Sequence, residues 1–227
     1  MLLSLPAVLD PAEVAACREA LDAAPWADGR ITAGPQSALA KANLQLPEGA
    51  PAARRLGELI LDRLGRNPDF LAAALPARVF PPLFNRYDPG MGFGGHIDNA
   101  IRIGGEPARR YRTDLSCTLF LSEPDAYDGG ELVIEGPQPP VAIKLGAGDL
   151  VIYEATTVHR VQPVTRGSRL AAFFWVQSMV RDRGQRELLH DLDGSIRQAR
   201  ADLGDDHPAA LRLAGTYHNL IRMWAEV

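Results

Sequence analysis

The sequence of 227 residues is poor in cysteine, in basic charge and in long apolar runs. Its two cysteines, Cys17 and Cys117, are far apart and lack metal-binding spacing, which favours a reducing compartment and argues against a disulfide framework. A formal net charge of -4 argues against broad nucleic-acid binding, which usually requires a basic surface. No apolar run approaches the roughly 20 residues of a membrane-spanning helix. These absences predict a cytoplasmic protein that binds neither nucleic acid nor membrane.

The N-terminal region carries helix signals rather than a targeting signal. Its first residues, MLLSLPAVLDPAE, are apolar but have no basic segment, so we interpret them as a strand or turn and not as a signal peptide. Asp10 stands at a predicted N-cap, Pro11 at the first helical position and Glu13 where a capping box requires an acid. Two further helices are predicted in PAARRLGELILDRLGR and DFLAAAL. Residues 1–77 are therefore expected to form a helical and strand-containing support packed on the core.

Residues 78–178 have a sequence pattern that is typical of an all-β domain. Runs of β-prone residues, about eight in all, are separated by Gly, Pro and Asp at intervals of roughly 8–12 residues. This spacing is typical of sandwiches and barrels, and no helical period of useful length interrupts it. We therefore predict a mainly β fold with flanking helices, whose core is a double-stranded β-helix (jelly roll).

The last segment, residues 179–227, returns to helical periodicity. Apolar residues recur at four-residue steps from Leu188 to Ile196, and Gly204 is predicted to cap this helix. A second apolar series, in HPAALRLAGTYHNLIRMWAEV, predicts an antiparallel partner helix. The apolar stripe of this helix pair fits docking on the β-core, and it fits equally well a homo-oligomeric or partner interface.

The stretch GFGGHIDNA places two polar side chains two residues apart. On a strand, residues at this spacing point to the same face, so His96 and Asp98 would project together while Ile97 points away. His159, in the run EATTVHRVQPV, offers a second imidazole from another predicted strand. Two imidazoles and one carboxylate match the facial triad of non-haem Fe(II) oxygenases, and the lack of thiolate ligands argues against structural zinc. The glycines before His96 are interpreted as slack that lets ligand and substrate approach the metal.

One basic residue adds a second element to this site. Arg169 lies ten positions after His159, among the apolar and aromatic neighbours of SRLAAFFW. A guanidinium on such a buried strand is costly unless it is paired, and a dicarboxylate co-substrate would supply the partner through a two-pronged contact. The hydroxyl of Tyr87, nine positions before His96, is a candidate for a second contact to that ligand. The alternatives are a surface acid as the partner of Arg169 and half-buried packing for Tyr87.

Two polar segments are candidates for substrate contacts. The segment IRIGGEPARRYRTD carries Arg102, Arg109 and Arg110, and a basic lid of this kind would favour an anionic or polar substrate. A solvated charged loop is the equal alternative. The segment KANLQL contains Lys41 and Asn43, which either make polar contacts beside the pocket or form the solvent-exposed face of a strand.

Four longer segments carry a resemblance to a known family. They are FNRYDPGMGFGGHID, RTDLSCTLFLSEPDAYDGGELVI, KLGAGDLVIYEATTVHRVQPVTRGSRLAAFFWVQSMVRD and TYHNLIRMWAEV. These segments resemble the PKHD-type hydroxylases, which are bacterial Fe(II)/2-oxoglutarate dioxygenases related to the prolyl 4-hydroxylase catalytic domain. The likeness covers essentially the whole chain, including both terminal helical parts, and is therefore more specific than the iron motif alone.

The resemblance implies a double-stranded β-helix with His96, Asp98 and His159 as iron ligands and Arg169 as the anchor for 2-oxoglutarate. It also implies O2 as co-substrate and ascorbate as a reductant, although no residue independently indicates ascorbate. The wider prolyl hydroxylase pattern has a tyrosine near Tyr87 and often a lysine where Arg169 stands, so this chain departs from that pattern but keeps the positive charge. The expected activity is hydroxylation of a C–H bond in a small metabolite, a siderophore-like compound or a peptide, with succinate and CO2 as co-products.

Two other functions are compatible with this kind of fold. A non-catalytic cupin-like sensor would bind a metal or a small carboxylate, and a hydrolase would use Mn or Zn. A complete triad together with Arg169 favours O2 chemistry over both alternatives. Turnover of 2-oxoglutarate distinguishes the enzyme from the sensor.

Overall fold

A computed structural model describes residues 1–32, 39–105, 107–136 and 139–226. The α-helices defined in these ranges are α1 (Pro11–Asp22), α2 (Pro51–Arg66), α3 (Pro68–Ala74), α4 (Arg183–Leu203) and α5 (Pro208–Trp224). The strands are β1 (Leu2–Leu5), β2 (Ala27–Asp28), β3 (Lys41–Ala42), β4 (Leu44–Gln45), β5 (Pro76–Val79), β6 (Leu83–Tyr87), β7 (Gly92–His96), β8 (Ile101–Gly104), β9 (Arg109–Arg112), β10 (Leu115–Phe120), β11 (Tyr127–Gly129), β12 (Leu132–Ile134), β13 (Val141–Ile143), β14 (Leu150–Glu154), β15 (His159–Val161), β16 (Val164–Gly167) and β17 (Arg169–Ser178). None of the helices within the described ranges has both the length and the apolar character needed to cross a bilayer.

Two antiparallel sheets form the centre of the molecule. The larger one follows the order β1-β14-β10-β17-β6-β4-β2, and β5 also pairs with β17. The smaller one follows the order β13-β12-β15-β7-β3. Strands β8 and β9 form a separate hairpin, and β11 pairs with β16. The predicted mainly β architecture with a jelly-roll core and flanking helices is confirmed.

The larger sheet is covered by helices on one face and by the smaller sheet on the other. Its side chains therefore pack in two separate clusters. In β10, Leu115, Cys117 and Leu119 pack in one cluster with buried residues of α1, α2 and α3. Phe120 instead packs with Tyr153 in a second cluster that lies between the two sheets. Because successive side chains on a strand point to opposite faces, alternate residues of β10 and β17 are directed toward the interior of the sandwich. The candidate site lies on that interior side.

The glycine-rich stretch before His96 forms a paired strand, so its interpretation as slack is wrong. Strand β7 pairs with β15 on one side and with β3 on the other. A Cβ atom on Gly92 would lie 3.0 Å from the carbonyl oxygen of Val161, and one on Gly94 would lie 3.0 Å from the Cβ of Ala40. The glycines therefore allow neighbouring backbone to approach closely, which is a recognised role of glycine within a strand.

The cap signals of the helices agree with the structure. Asp10 and Glu13 form the predicted capping box of α1, and Gly204 ends α4 with a positive φ of 100°. Helices α4 and α5 pack on the rest of the chain through a cluster that contains Leu75, Val180 and Leu189, with aromatic side chains of α5 packed against it. The apolar stripe of the helix pair thus has a docking surface within the same chain.

A buried ion pair ties α4 to the larger sheet. The guanidinium of Arg186 is 2% exposed and donates to Glu154 Oε2 at 2.6 Å. It also donates to the carbonyl oxygens of Val180 at 2.9 Å and Arg181 at 2.7 Å. The amino group of Met1 lies 3.4 Å from the other oxygen of Glu154. Both charges are therefore desolvated, and each depends on its partners.

We expect Arg186→Met to lower the free energy of unfolding by about 3 kcal/mol, because it leaves the Glu154 carboxylate buried without its main partner. The double variant Arg186→Met/Glu154→Gln should recover part of this loss. Arg183→Met is the matched control, since Arg183 is exposed on the same helix and its pair with Glu187 contributes about 0.3–0.5 kcal/mol. Urea denaturation measures all three, and equal losses for the two single variants would contradict the assignment.

Candidate metal and 2-oxoglutarate site

Two paired strands bring the two histidines of the predicted triad together. His96 ends β7, His159 begins β15, and the two residues are direct partners in the ladder. The ladder stops at this pair, and Asp98 lies two residues beyond the end of β7. The prediction that His96 and Asp98 share one strand is therefore wrong. Ile97 between them is 51% exposed and also contributes to the lining of the cavity that holds the three side chains. Ligand atoms of the three side chains all lie within 4.8 Å of one another.

Both imidazole rings are oriented by their own backbone. His96 Nδ1 lies 2.9 Å from the carbonyl oxygen of Gly94, and His159 Nδ1 lies 3.0 Å from that of Thr157. A ring that donates from Nδ1 keeps the lone pair on Nε2 for a metal. Burial, followed by the neighbouring His159 imidazole, lowers the pKa of His96 to about 4, so this ring is neutral near pH 7. A neutral imidazole is the form that binds a divalent metal.

Three neighbours that the sequence analysis did not select support the triad. Ser116 Oγ lies 2.5 Å from Asp98 Oδ2 and donates to it, which fixes the carboxylate outside any strand. The ring of Phe93 stacks on His96 with a centroid distance of 3.6 Å, and Tyr153 meets His159 edge-on at 5.1 Å. The alternation of polar and apolar residues in LSCTLF is the one sequence signal that Ser116 faces the interior.

We expect Ser116→Ala to weaken metal binding by about 10- to 100-fold, the usual effect of removing a hydrogen-bond donor that orients a ligand. The carboxylate of Asp98 would lose the hydroxyl that donates to it at 2.5 Å and become free to rotate. Isothermal titration with Mn(II), as an air-stable stand-in for Fe(II), measures the change. Ser195→Ala, on the exposed face of α4, is the control. An unchanged affinity for Ser116→Ala would show that Asp98 needs no such support.

Arg169 begins β17 and is almost completely enclosed, with an exposed fraction of 1%. Its Nε and Nη1 atoms have no hydrogen-bond partner within the described chain. Its guanidinium carbon lies 5.4 Å from the ring centre of Tyr87 and 5.2 Å from that of Phe120. Aromatic faces stabilise a cation but do not satisfy its N–H groups. These two buried donors of Arg169 are therefore unsatisfied among the described residues.

Tyr87 lies directly opposite Arg169 in the pairing of β6 with β17. Burial raises the pKa of the Tyr87 hydroxyl, and the charge of Arg169 opposes part of that increase. The phenol is therefore neutral at physiological pH and keeps its proton as a donor. Arg169, Tyr87 and the triad all line one cavity between the sheets.

The remaining predicted residues divide into two groups. Lys41, Asn43 and Arg102 line the same cavity as the triad. Arg109 and Arg110 of β9 are both exposed and are not among the residues that line it. The segment that carries the arginines is a short hairpin rather than a long loop, with β8 and β9 in register from Ile101 to Arg112.

Comparison with known proteins agrees with this geometry. Residues 82–177 match the model of the 2OG-Fe(II) oxygenase superfamily, and residues 183–226 match that of the PKHD-type hydroxylase C-terminal domain. A PKHD-type hydroxylase of Methylobacterium nodulans is 59% identical over 227 residues, which is the whole of both chains. The chain therefore contains a 2OG-Fe(II) oxygenase domain, and its superfamily implies Fe(II), 2-oxoglutarate and O2. It belongs to the PKHD-type hydroxylase family.

More distant solved structures share the fold. A prolyl-4-hydroxylase of Pseudomonas putida is 21% identical, with a TM-score of 0.53 over 78% of this chain and 92% of that one. A prolyl hydroxylase from Trichoplax adhaerens, solved with a hypoxia inducible factor peptide fragment, is 16% identical, with a TM-score of 0.56 over 82% and 86% of the two chains. These likenesses establish the jelly-roll architecture and carry no information about the substrate.

Proposed function

We propose that this oxygenase hydroxylates a C–H bond of a small metabolite, a siderophore-like compound or a peptide, with 2-oxoglutarate converted to succinate and CO2. The observation that carries the proposal is the position of Arg169, a buried cation with unsatisfied donors in the cavity that also holds the triad. A metal site alone is compatible with several chemistries. A metal site with a separate carboxylate anchor fits a dicarboxylate co-substrate best.

The donor set fits ferrous iron. His96 and His159 would supply imidazole nitrogens and Asp98 a carboxylate oxygen, and three ligands of this kind leave three positions for exogenous groups. When bound, iron and 2-oxoglutarate supply the activation of O2 and the oxidation of the substrate C–H bond. The roles of the protein are to hold both groups, orient the substrate and exclude water. Ser116 contributes by keeping the Asp98 carboxylate aimed at the metal.

Arg169 is proposed to bind the carboxylate of 2-oxoglutarate that lies far from the metal. Its planar fork matches a carboxylate with two parallel hydrogen bonds, and its enclosure makes each bond stronger than it would be in water. The hydroxyl of Tyr87 is proposed as a second donor to this end of the co-substrate. Ascorbate is proposed as a reductant that restores ferrous iron, and a fall in the number of turnovers when it is omitted would support that role.

Two measurements test the proposed function. Under anaerobic conditions, Fe(II) and 2-oxoglutarate should produce a weak visible charge-transfer band with the purified protein. After O2 is admitted, a panel of metabolites and peptides should contain compounds that stimulate succinate release. Tight binding of 2-oxoglutarate with no turnover under any condition would favour the sensor. The absence of both the band and binding would refute the proposal.

A further inference from the structure

The cavity has two chemically different ends, and β17 defines them. Arg169 and Trp175 both face the cavity, six residues apart, which corresponds to about 20 Å along an extended strand. Trp175 lies directly opposite Ser116, the residue that holds Asp98. If 2-oxoglutarate occupies the Arg169 end, as the proposed function requires, the Trp175 end remains for the second substrate.

Arg102 occupies the Trp175 end. Its guanidinium carbon lies 4.5 Å from the ring centre of Trp175 and 5.5 Å from that of Phe80. Its side chain has no hydrogen-bond or ion-pair partner among the residues that the structure describes. Burial lowers the pKa of Arg102, while the carboxylates of Glu48 and Asp98 oppose that shift. The guanidinium is thus held by its flat face, and its N–H edges are left for another partner.

The hairpin that carries Arg102 is docked against the protein. A Cβ atom on Gly104 would lie 2.6 Å from the ring of Phe80. Only a glycine at this position lets the backbone of β8 come so close to that ring. Tyr111, on β9, packs edge-on against the same ring at 5.1 Å. These contacts fix the backbone on both sides of Arg102, and the side chain is therefore a wall of the cavity and not a solvated surface charge.

Lys41 supplies a second cation to the same cavity. It is 7% exposed, its Nζ donates to Gln45 Oε1 at 3.0 Å, and it lies 5.5 Å from the ring centre of Phe93. Burial, followed by the charge of Arg102, lowers the pKa of Lys41 to about 8. The carboxylates of Asp28 and Asp98 oppose this shift. Arg102 and Lys41 therefore place two mutually repelling cations in one cavity, where a bound anion would interact favourably with both.

We propose that Arg102 and Lys41 form an anion subsite that binds a carboxylate of the hydroxylated substrate. This inference rests on the proposed function, which assigns 2-oxoglutarate to Arg169 and makes the second ligand a substrate for hydroxylation. The guanidinium edge matches a carboxylate with two hydrogen bonds, and Lys41 adds a compact positive charge. The subsite therefore narrows the substrate class to compounds, including peptides, that carry a carboxylate close to the carbon that reacts.

The test uses a matched pair of probes, N-acetylglycine and N-acetylglycinamide, which differ in a carboxylate and an amide. Each is titrated calorimetrically into the anaerobic protein loaded with Fe(II) and saturating 2-oxoglutarate. The wild-type protein should bind the carboxylate at least 10-fold more tightly than the amide. Arg102→Gln and Lys41→Met should each remove most of that preference, and Arg102→Lys should retain part of it. Arg78→Gln, an exposed arginine outside the cavity, should behave as the wild type does.

The outcomes separate the subsite from the proposed function. Equal affinities for the two probes, no measurable binding of the carboxylate, or an undiminished preference in both Arg102→Gln and Lys41→Met would overturn the subsite. Loss of 2-oxoglutarate binding in these variants would assign the two cations to the co-substrate and would also overturn it. If the wild type fails to bind 2-oxoglutarate, the proposed function fails, and the same titration without 2-oxoglutarate still decides whether the subsite exists. Circular dichroism confirms that each variant is folded.

Discussion

His159→Ala should reduce 2-oxoglutarate turnover by about 1,000-fold or more. Loss of one of the three protein ligands should remove several kcal/mol of the transition-state stabilisation that the bound metal supplies. Each 1.4 kcal/mol corresponds to a factor of ten in rate. His159 is 5% exposed, and its Nε2 lies 3.7 Å from Asp98 Oδ2, so no other side chain in the described ranges is placed to substitute for it. Succinate release and bound iron should fall together.

The control for this variant is His218→Ala, which removes an exposed imidazole on α5 that is not among the residues lining the cavity. It should retain full iron content and turnover. His159→Gln keeps most of the buried volume and separates loss of a ligand from loss of packing. Wild-type turnover in either His159 variant would defeat the ligand assignment.

Arg169→Met should have opposite effects on stability and on co-substrate binding. Without 2-oxoglutarate, the unfolding free energy should rise by about 1–3 kcal/mol, because unsatisfied buried donors are replaced by an apolar chain of similar length. The affinity for 2-oxoglutarate should fall by at least about 30-fold, since removing one partner of a buried, hydrogen-bonded charge pair costs about 2–5 kcal/mol. The wild type should gain about 2.7 kcal/mol of stability at 100 Kd of 2-oxoglutarate, and the variant should gain almost nothing.

Arg169→Lys distinguishes charge from shape at this position. It keeps the cation but loses the planar fork, so it should retain binding at an intermediate level. Thermal unfolding with and without 2-oxoglutarate measures both effects in one experiment. If Arg169→Met were destabilised without ligand yet bound 2-oxoglutarate normally, Arg169 would be a structural residue rather than an anchor.

The functional groups of the site can be predicted from the sequence because polar and charged residues of this kind are unusual in an apolar, β-prone segment. An H-x-D pair and a later histidine in a β-rich segment have few structural explanations, and an arginine within SRLAAFFW needs a partner. The structure places His96, Asp98 and His159 together, and it encloses Arg169. Their roles as iron ligands and co-substrate anchor stay predictions until the experiments above are done.

The supporting residues cannot be predicted from the sequence, because their contacts depend on the register between strands that are distant in the chain. Ser116 acts on Asp98 only because β10 passes beside the loop after β7, and Trp175 meets Arg102 only because the hairpin folds back. The glycine-rich β7 was missed for a related reason. Its intrinsic strand propensity is low, and close-packed neighbours on both sides impose its conformation.

The pairing of β1 with β14 has a consequence for biosynthesis. Leu2 lies opposite Tyr153, so the first strand has no sheet partner until about two thirds of the chain has been made. At roughly 5–20 residues per second, that interval lasts roughly eight to thirty seconds. Non-local pairing of this kind folds slowly and leaves apolar edges exposed in the meantime. The larger sheet, and with it the wall of the cavity, therefore closes late, and we expect the nascent chain to depend on chaperones more than a helical protein of equal length would.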